Sequence, residues 1–263
     1  MTGTESPLVI AHVSDLHFGA HVAGAARDLL ADVAAAAPSV TVVTGDLTMR
    51  ARRDQFRLAR AFLDRLPGPR LVVIGNHDVP LDNVAARLVC PYHRFGTHLP
   101  GAADPVLDVP GARLHGVASM PRWRWKAGRV SPAQAARLVE VMDGAPPGAA
   151  RIVALHHPVS QRGPARLLGR RRLLSALATA RVDLVLAGHT HRPAAVLLPP
   201  DASGRAVVEV VAGTAMSTRT RGVGRSWTLL RVLDGRVTVE HRHHGPSGWR
   251  AGEVCELPLT HTG

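Results

Sequence analysis

The sequence predicts an α/β protein: a parallel sheet covered by helices on both faces and completed by antiparallel strands. Short runs of apolar, mostly β-branched residues alternate with longer segments at helical spacing. Those runs lack the polar alternation of half-exposed strands, which marks strands buried on both faces. After His191 the helical segments stop and short strands separated by turn residues take over.

Residues 8–14 read as a buried strand with Asp15 and His17 just past it, and residues 23–37 as an alanine-rich helix that Pro38 stops. A second strand over 40–44 runs into Gly45-Asp46. Phe56, Ala59, Phe62, Leu63 and Leu66 give helical spacing over 54–66, closed by Pro67-Gly68-Pro69. A third strand over 71–74 meets Gly75-Asn76-His77-Asp78, and 81–90 suits a short helix. A strand over 113–118 precedes a loop over 120–129. Ser131-Pro132 starts a helix to about residue 142, with serine as cap and proline at the first helical position. A strand over 152–155 ends in His156-His157-Pro158, residues 167–180 are helical in pattern, and a strand over 182–187 ends at Gly188-His189. The runs 194–198, 207–211, 227–232 and 237–241 read as strands completing a second sheet. Asp234-Gly235 is a hairpin signal, and the tail 245–263 reads as irregular.

At 263 residues and 46% apolar content the chain suits one domain over 1–263 with a sizeable core. No apolar run reaches the roughly 20 residues of a bilayer crossing. The N-terminal residues lack a basic region and a small-residue cleavage site, so a cytoplasmic location is expected. Cys90 and Cys255 lie in no metal-binding spacing and are expected to be free thiols. The formal charge is +12, with Lys126 the single lysine. Such a charge attracts phosphate-bearing substrates. Nucleic acid is the less favoured partner, because the arginines are scattered apart from clusters around 50–60, 170–172 and 219–225.

Five polar islands carry the chemistry: Asp15-x-His17, Gly45-Asp46, Gly75-Asn76-His77-Asp78, His156-His157 and Gly188-His189-x-His191. Each ends an apolar run, and in open α/β sheets that carboxyl edge is where ligands bind. Asp15, His17, Asp46, Asn76, His156, His189 and His191 mix carboxylate, amide and imidazole. That set suits divalent Mn, Fe or Zn, with Mg acceptable, and not a thiolate-seeking metal. Asp46, with a glycine before it, is the candidate to bridge two ions. Each island alone is an ordinary turn or strand end. Their joint, ordered occurrence at strand ends is what argues for a dinuclear site.

In this order the motifs resemble the calcineurin-like metallophosphoesterase superfamily, and within it the bacterial branch of class III cyclic-nucleotide phosphodiesterases and glycerophosphodiesterases. The motifs occupy residues 14–191, with the strand-rich completion at 194–244. The resemblance implies a four-layer αββα sandwich of two mixed sheets flanked by helices. It implies one ion held by Asp15, His17, Asp46 and His191, and a second by Asp46, Asn76, His156 and His189. It places His77 on the substrate phosphate and leaving group, with Asp46 as its catalytic companion at the metals. The implied activity is hydrolysis of a phosphate ester, a diester before a monoester, by in-line attack of hydroxide bridging the two ions. Alternatives are a DNA- or RNA-processing nuclease, which shares the Ser14-to-His17 start, and a non-catalytic scaffold.

No fixed motif marks the substrate-facing residues. Arg122, in a loop with Trp123, Arg124, Trp125 and Lys126, and Arg162, shortly after His156-His157-Pro158, are the candidates. Asp78 could orient His77 or make a turn. His157 and His21 are near ligands in sequence without belonging to the ligand pattern.

Overall fold

The computed structural model describes residues 6–99 and 104–259. The chain opens with β1 (Leu8–Val13), α1 (Ala25–Ala35), β2 (Val40–Val43), α2 (Arg53–Leu63) and β3 (Arg70–Val72). Two short helices follow, α3 (Val84–Val89) and α4 (His93–His98), then β4 (Val106–Val109), β5 (Ala112–Val117) and β6 (Gly128–Arg129). The middle continues through α5 (Pro132–Asp143), β7 (Ala150–Leu155), β8 (Leu167–Leu168), α6 (Arg170–Thr179) and β9 (Leu184–Ala187). It ends in strands only: β10 (Ala194–Leu197), β11 (Val208–Val211), β12 (Ser226–Leu233), β13 (Arg236–Gly245) and β14 (Gly248–Pro258).

The strands form two six-stranded mixed sheets, ordered β14-β13-β12-β1-β2-β3 and β10-β11-β9-β7-β5-β4, and a small pair β6-β8. The sheets face each other through one apolar layer: Ile10, Val42 and Leu71 of the first pack with Leu114, Ile152, Leu186 and Val210 of the second. Leu29, Val33, Phe56 and Phe62 of α1 and α2 cover the outer face of the first sheet. Leu138, Met142, Leu173 and Leu177 of α5 and α6 cover that of the second. The result is the four-layer αββα sandwich.

Local chemistry accounts for the elements. Ser131 accepts the Gln134 amide N–H while the Gln134 side chain accepts the Ser131 N–H, closing a capping box at α5. Asn83 caps α3 by accepting the Ala86 N–H at 2.8 Å. Asp234 and Gly235, both at positive φ (47° and 68°), form the two-residue hairpin between β12 and β13.

The C-terminal strands are distributed differently from the expectation. Only β10 and β11 join the second sheet, and β11 runs parallel to β9. β12 and β13 extend the first sheet beyond β1, antiparallel to it. Residues 248–258, read as irregular tail, are the edge strand β14 paired along β13. An edge strand is mostly exposed, and the bulge between Glu240 and Arg242 interrupts its alternation, so its apolar pattern is weak. Residues 167–180 are not one helix: β8 comes first, and Gly169 in the left-handed region (φ 79°) starts α6. Helix α4 and strand β4 had no clear sequence signal. Among the described residues no helix is long and apolar enough to cross a membrane. Cys90 and Cys255 are free thiols.

His12 of β1 is fully buried, bonded through Nε2 to Thr44 Oγ1 at 2.9 Å. Burial, reinforced by His241, pushes its imidazole down to about 3, so it stays neutral in the fold. In the unfolded chain it takes a proton near pH 6.5. Below that pH the unfolded state binds more protons, so stability is lost as pH falls from 6.5 toward 3, at up to about 1.4 kcal/mol per pH unit for one such group. The urea midpoint of metal-stripped protein is expected to fall between pH 7 and pH 5, and His12→Gln to flatten that slope. An unchanged slope in the variant would contradict the assignment.

Candidate metal centre

The five islands follow β1, β2, β3, β7 and β9, and the parallel strands of both sheets bring them to one rim. Of the ten non-glycine residues at positive φ among the described residues, five are candidate ligands: Asp15 (52°), His17 (50°), Asp46 (51°), His189 (70°) and His191 (59°). This conformation costs on the order of 1–3 kcal/mol per residue and persists only where surrounding structure enforces it. Here the loops hold each other. The Asp15 N–H donates to Gly45 O at 3.1 Å, the His17 N–H to Asp46 O at 2.9 Å, and the His189 N–H to Asp15 Oδ2 at 3.0 Å.

Side chains of Asp15, His17, Asp46 and His191 bring one donor atom each within 4.8 Å of one another, and those of Asp46, His156 and His189 do the same. Asp46 belongs to both groups. Asn76 adjoins the second, its Oδ1 lying 3.1 Å from His156 Nε2. All seven are buried or nearly so. Two rings have their donor atom selected by the other nitrogen. His156 Nδ1–H donates to Thr44 O at 2.7 Å, and His191 Nδ1–H donates to Arg219 O. Their Nε2 lone pairs therefore face inward, with His191 Nε2 3.0 Å from Asp15 Oδ1 and His156 Nε2 3.4 Å from Asp46 Oδ2.

The charge balance fits bound cations. Asp15 Oδ1 and His17 Nδ1 are buried without a hydrogen-bond partner. Burial alone would raise the Asp15 carboxyl, but the adjacent His191 and His17 overcome it and hold it well below the usual carboxylate range. At His156 burial is likewise overcome, by Asp46, which lifts the imidazole to about 9. Without other positive charge, the carboxylates draw protons onto the imidazoles beside them. His189, by contrast, is lowered to about 3 by burial and by His156, which leaves it a neutral lone-pair donor. Buried carboxylates among imidazole lone pairs are what divalent Mn, Fe, Zn or Mg would satisfy.

The supporting residues are more specific than their sequence suggested. Asp78 does not orient the His77 ring. Its carboxylate accepts the N–H groups of Gly75 (3.0 Å), Leu47 (3.2 Å) and Thr48 (2.8 Å), tying the loop after β2 to that after β3. Burial, then the nearby Asp46, pushes the Asp78 carboxyl up to about 6. His77 instead donates from Nδ1 to Met49 O at 2.9 Å, and its N–H donates to Asp46 Oδ1 at 2.8 Å. Its Nε2 therefore faces the cavity, and burial lowers its imidazole. His157 is a buried strut: its Nδ1 meets Ser119 Oγ at 2.8 Å and its Nε2 donates to Lys126 O at 3.1 Å. His21 packs on Phe18, with ring centres 4.9 Å apart.

The cluster opens into a cavity of about 420 Å³ whose walls include Asp46, Asn76, His77, Lys126, Arg192, Arg219 and Arg221. Neither Arg122 nor Arg162 lines it. Arg122 Nη1 donates to Leu88 O at 2.9 Å and borders a separate apolar cavity with Tyr92, Phe95 and Trp123. Arg162 is exposed, although its neighbours Gln161, Pro164 and Ala165 reach the wall. The basic wall residues missed in sequence are Arg192, which directly follows His191, and Arg219 and Arg221, whose only signal was the local arginine cluster.

The model of the calcineurin-like phosphoesterases matches residues 8–193, about seven-tenths of the chain. The chain belongs to the calcineurin-like phosphoesterase family. No curated protein matches it in sequence. Among solved structures, this family member is similar to purple acid phosphatase PPD1 from yellow lupin seeds, at 13% identity and a TM-score of 0.72. That match covers 97% of the chain and 54% of the lupin protein, so the chain spans about half the length of this relative. GAP50 of Plasmodium aligns at 12% identity and TM-score 0.66 over 98% of the chain and 90% of its own. Vps29 of Chaetomium thermophilum aligns at 14% identity and TM-score 0.54 over 96% and 97%. At these identities the likeness is one of fold.

A Cβ added at Gly75 would lie 2.9 Å from Asp46 Cα and closer still to the Asp46 N atom, a backbone clash that cannot relax by side-chain rotation. Gly75→Ala is expected to destabilise the protein by about 1–3 kcal/mol and to lower bound metal per chain. Normal metal content by atomic emission at wild-type stability would show that the two loops need not approach so closely.

Proposed function

We propose that this family member is a metal-dependent phosphoric ester hydrolase that prefers diesters. The observation that carries the reading is His77 Nε2 facing the cavity beside two convergent ligand sets that share Asp46. Asp15, His17, Asp46 and His191 would hold one ion, and Asp46, Asn76, His156 and His189 the other. Bound there, the pair would supply a water of lowered pKa as nucleophile and neutralise phosphate oxygens. The protein's own part is positional. Thr44 O and Arg219 O select the inward nitrogen of His156 and His191, and Met49 O fixes the His77 ring with Nε2 toward the cavity, from which the ring, when protonated at both nitrogens, would donate to the leaving oxygen. The cavity of about 420 Å³, with His77, Arg219, Lys126 and Gln161 all in its wall, is large enough for a substrate with a group on each ester oxygen, which supports the diester reading.

A second reading is a binding scaffold, because the same fold serves in GAP50, described as the anchor in the inner membrane complex. Against it stands the ligand set, each position filled by a residue able to ligate. Nucleic acid remains the less favoured substrate.

Metal-stripped protein supplied singly with Mn, Fe, Zn or Mg should hydrolyse bis(p-nitrophenyl) phosphate faster than p-nitrophenyl phosphate. A monoester preference would overturn the diester assignment. Two bound metals with no turnover by any ion would favour the scaffold. His77→Ala should lower kcat by about 100-fold or more with metal content near normal. Asp46→Asn should lose metal and activity together, and retention of both ions would refute its shared role.

A further inference from the structure

The rim of the cavity carries more positive charge than a simple diester needs. Lys126, Arg192, Arg219 and Arg221 all line it, and all are exposed. Elsewhere the arginines often meet carboxylates: Arg60 with Asp64 at 2.8 Å, Arg113 with Asp108 at 2.7 Å, Arg242 with Asp32 at 2.8 Å. Among the described residues none of the four rim cations has such a partner, and Asp46 is the single acid in the cavity wall. Two of the four are held in place. Arg219 accepts the His191 Nδ1–H at its carbonyl and brings Nη1 to 3.3 Å from His77 Nε2. The Lys126 backbone is held by His157. Arg219 and Arg221 lie beyond residues 8–193, which the family model matches.

We propose that the cavity selects phosphoesters bearing a second phosphoryl group on the same molecule, bound by Arg219 and Arg221 with Arg192 and Lys126 completing the rim. This rests on the hydrolase reading above. A phosphodiester linkage carries one negative charge, which the ions at the ligand sets would already offset. The four unpaired cations therefore await a further anion. Arginine's planar fork matches a phosphoryl group with two parallel hydrogen bonds, and three of the four are arginines. Arg219 adjoins His77, Arg192 adjoins His191, and Lys126 comes from the loop before α5.

The test compares two substrates that differ by one phosphate: thymidine 5′-(p-nitrophenyl phosphate) and its 3′-phosphorylated counterpart, on the full chain loaded with Mn²⁺. The phosphorylated substrate is expected to show kcat/KM about tenfold higher. That ratio should fall toward one in Arg219→Gln and Arg221→Gln and with added salt. Equal kcat/KM for the two substrates would overturn the inference while leaving the hydrolase reading intact. Hydrolysis of neither would count against the hydrolase reading instead. Calorimetry on metal-stripped protein then decides the rim by itself: pyrophosphate bound more tightly than orthophosphate, with the difference lost in the Arg221→Gln variant, supports it, and equal affinity rejects it.

Discussion

Two carboxylates buried at the meeting point of two sheets, Asp15 and Asp46, set the terms for the surrounding structure. An ionised carboxylate out of water is strongly unfavourable unless hydrogen-bonded and matched by positive charge. Asp15 has Ser14 Oγ at 2.6 Å and the His189 N–H, while Asp46 has the His77 N–H. Neither arrangement neutralises the charge. The remaining demand falls on the inward imidazole nitrogens and on whatever cation they can hold jointly. The strained backbone of five candidate ligands accords with the same demand, since it turns those side chains inward.

The sandwich makes this convergence affordable to the rest of the chain. The apolar layer between the sheets fixes their relative placement, so loops from β1, β2 and β3 of one sheet meet loops from β7 and β9 of the other. Small residues permit the approach: Gly75 lies against Asp46, and Gly188 against Ser14 and Asp15. Asp78 and His157 then lock the surrounding loops. Both spend buried polar capacity on neighbouring loops, Asp78 mainly on backbone N–H groups and His157 on Ser119 Oγ and Lys126 O, which is why their roles show only in three dimensions.

The convergence of the candidate ligands was legible in the sequence because they sit at strand ends, and the ends of parallel strands share an edge. The first βαβαβ run was legible for the same reason: its strands are short, apolar and bounded by turn residues. Of the C-terminal strands, β10 and β11 complete the second sheet as expected, whereas β12 and β13 extend the first, since a strand's burial pattern does not name its neighbour. Strand β14 was missed because an exposed edge needs little apolar patterning. Arg122 looked suited to substrate by its tryptophan neighbours, yet its guanidinium is committed to the Leu88 carbonyl. Arg219 reaches the site through a loop more than 140 residues from His77, a proximity no local pattern encodes.

The account stands on Asp46 being shared by two ions. Electron paramagnetic resonance of the Mn²⁺-loaded protein tests that most directly. A shared carboxylate predicts an exchange-coupled manganese pair, with its closely spaced multiline splitting, at two ions per chain. A simple six-line spectrum of isolated Mn²⁺ at full loading would contradict the account.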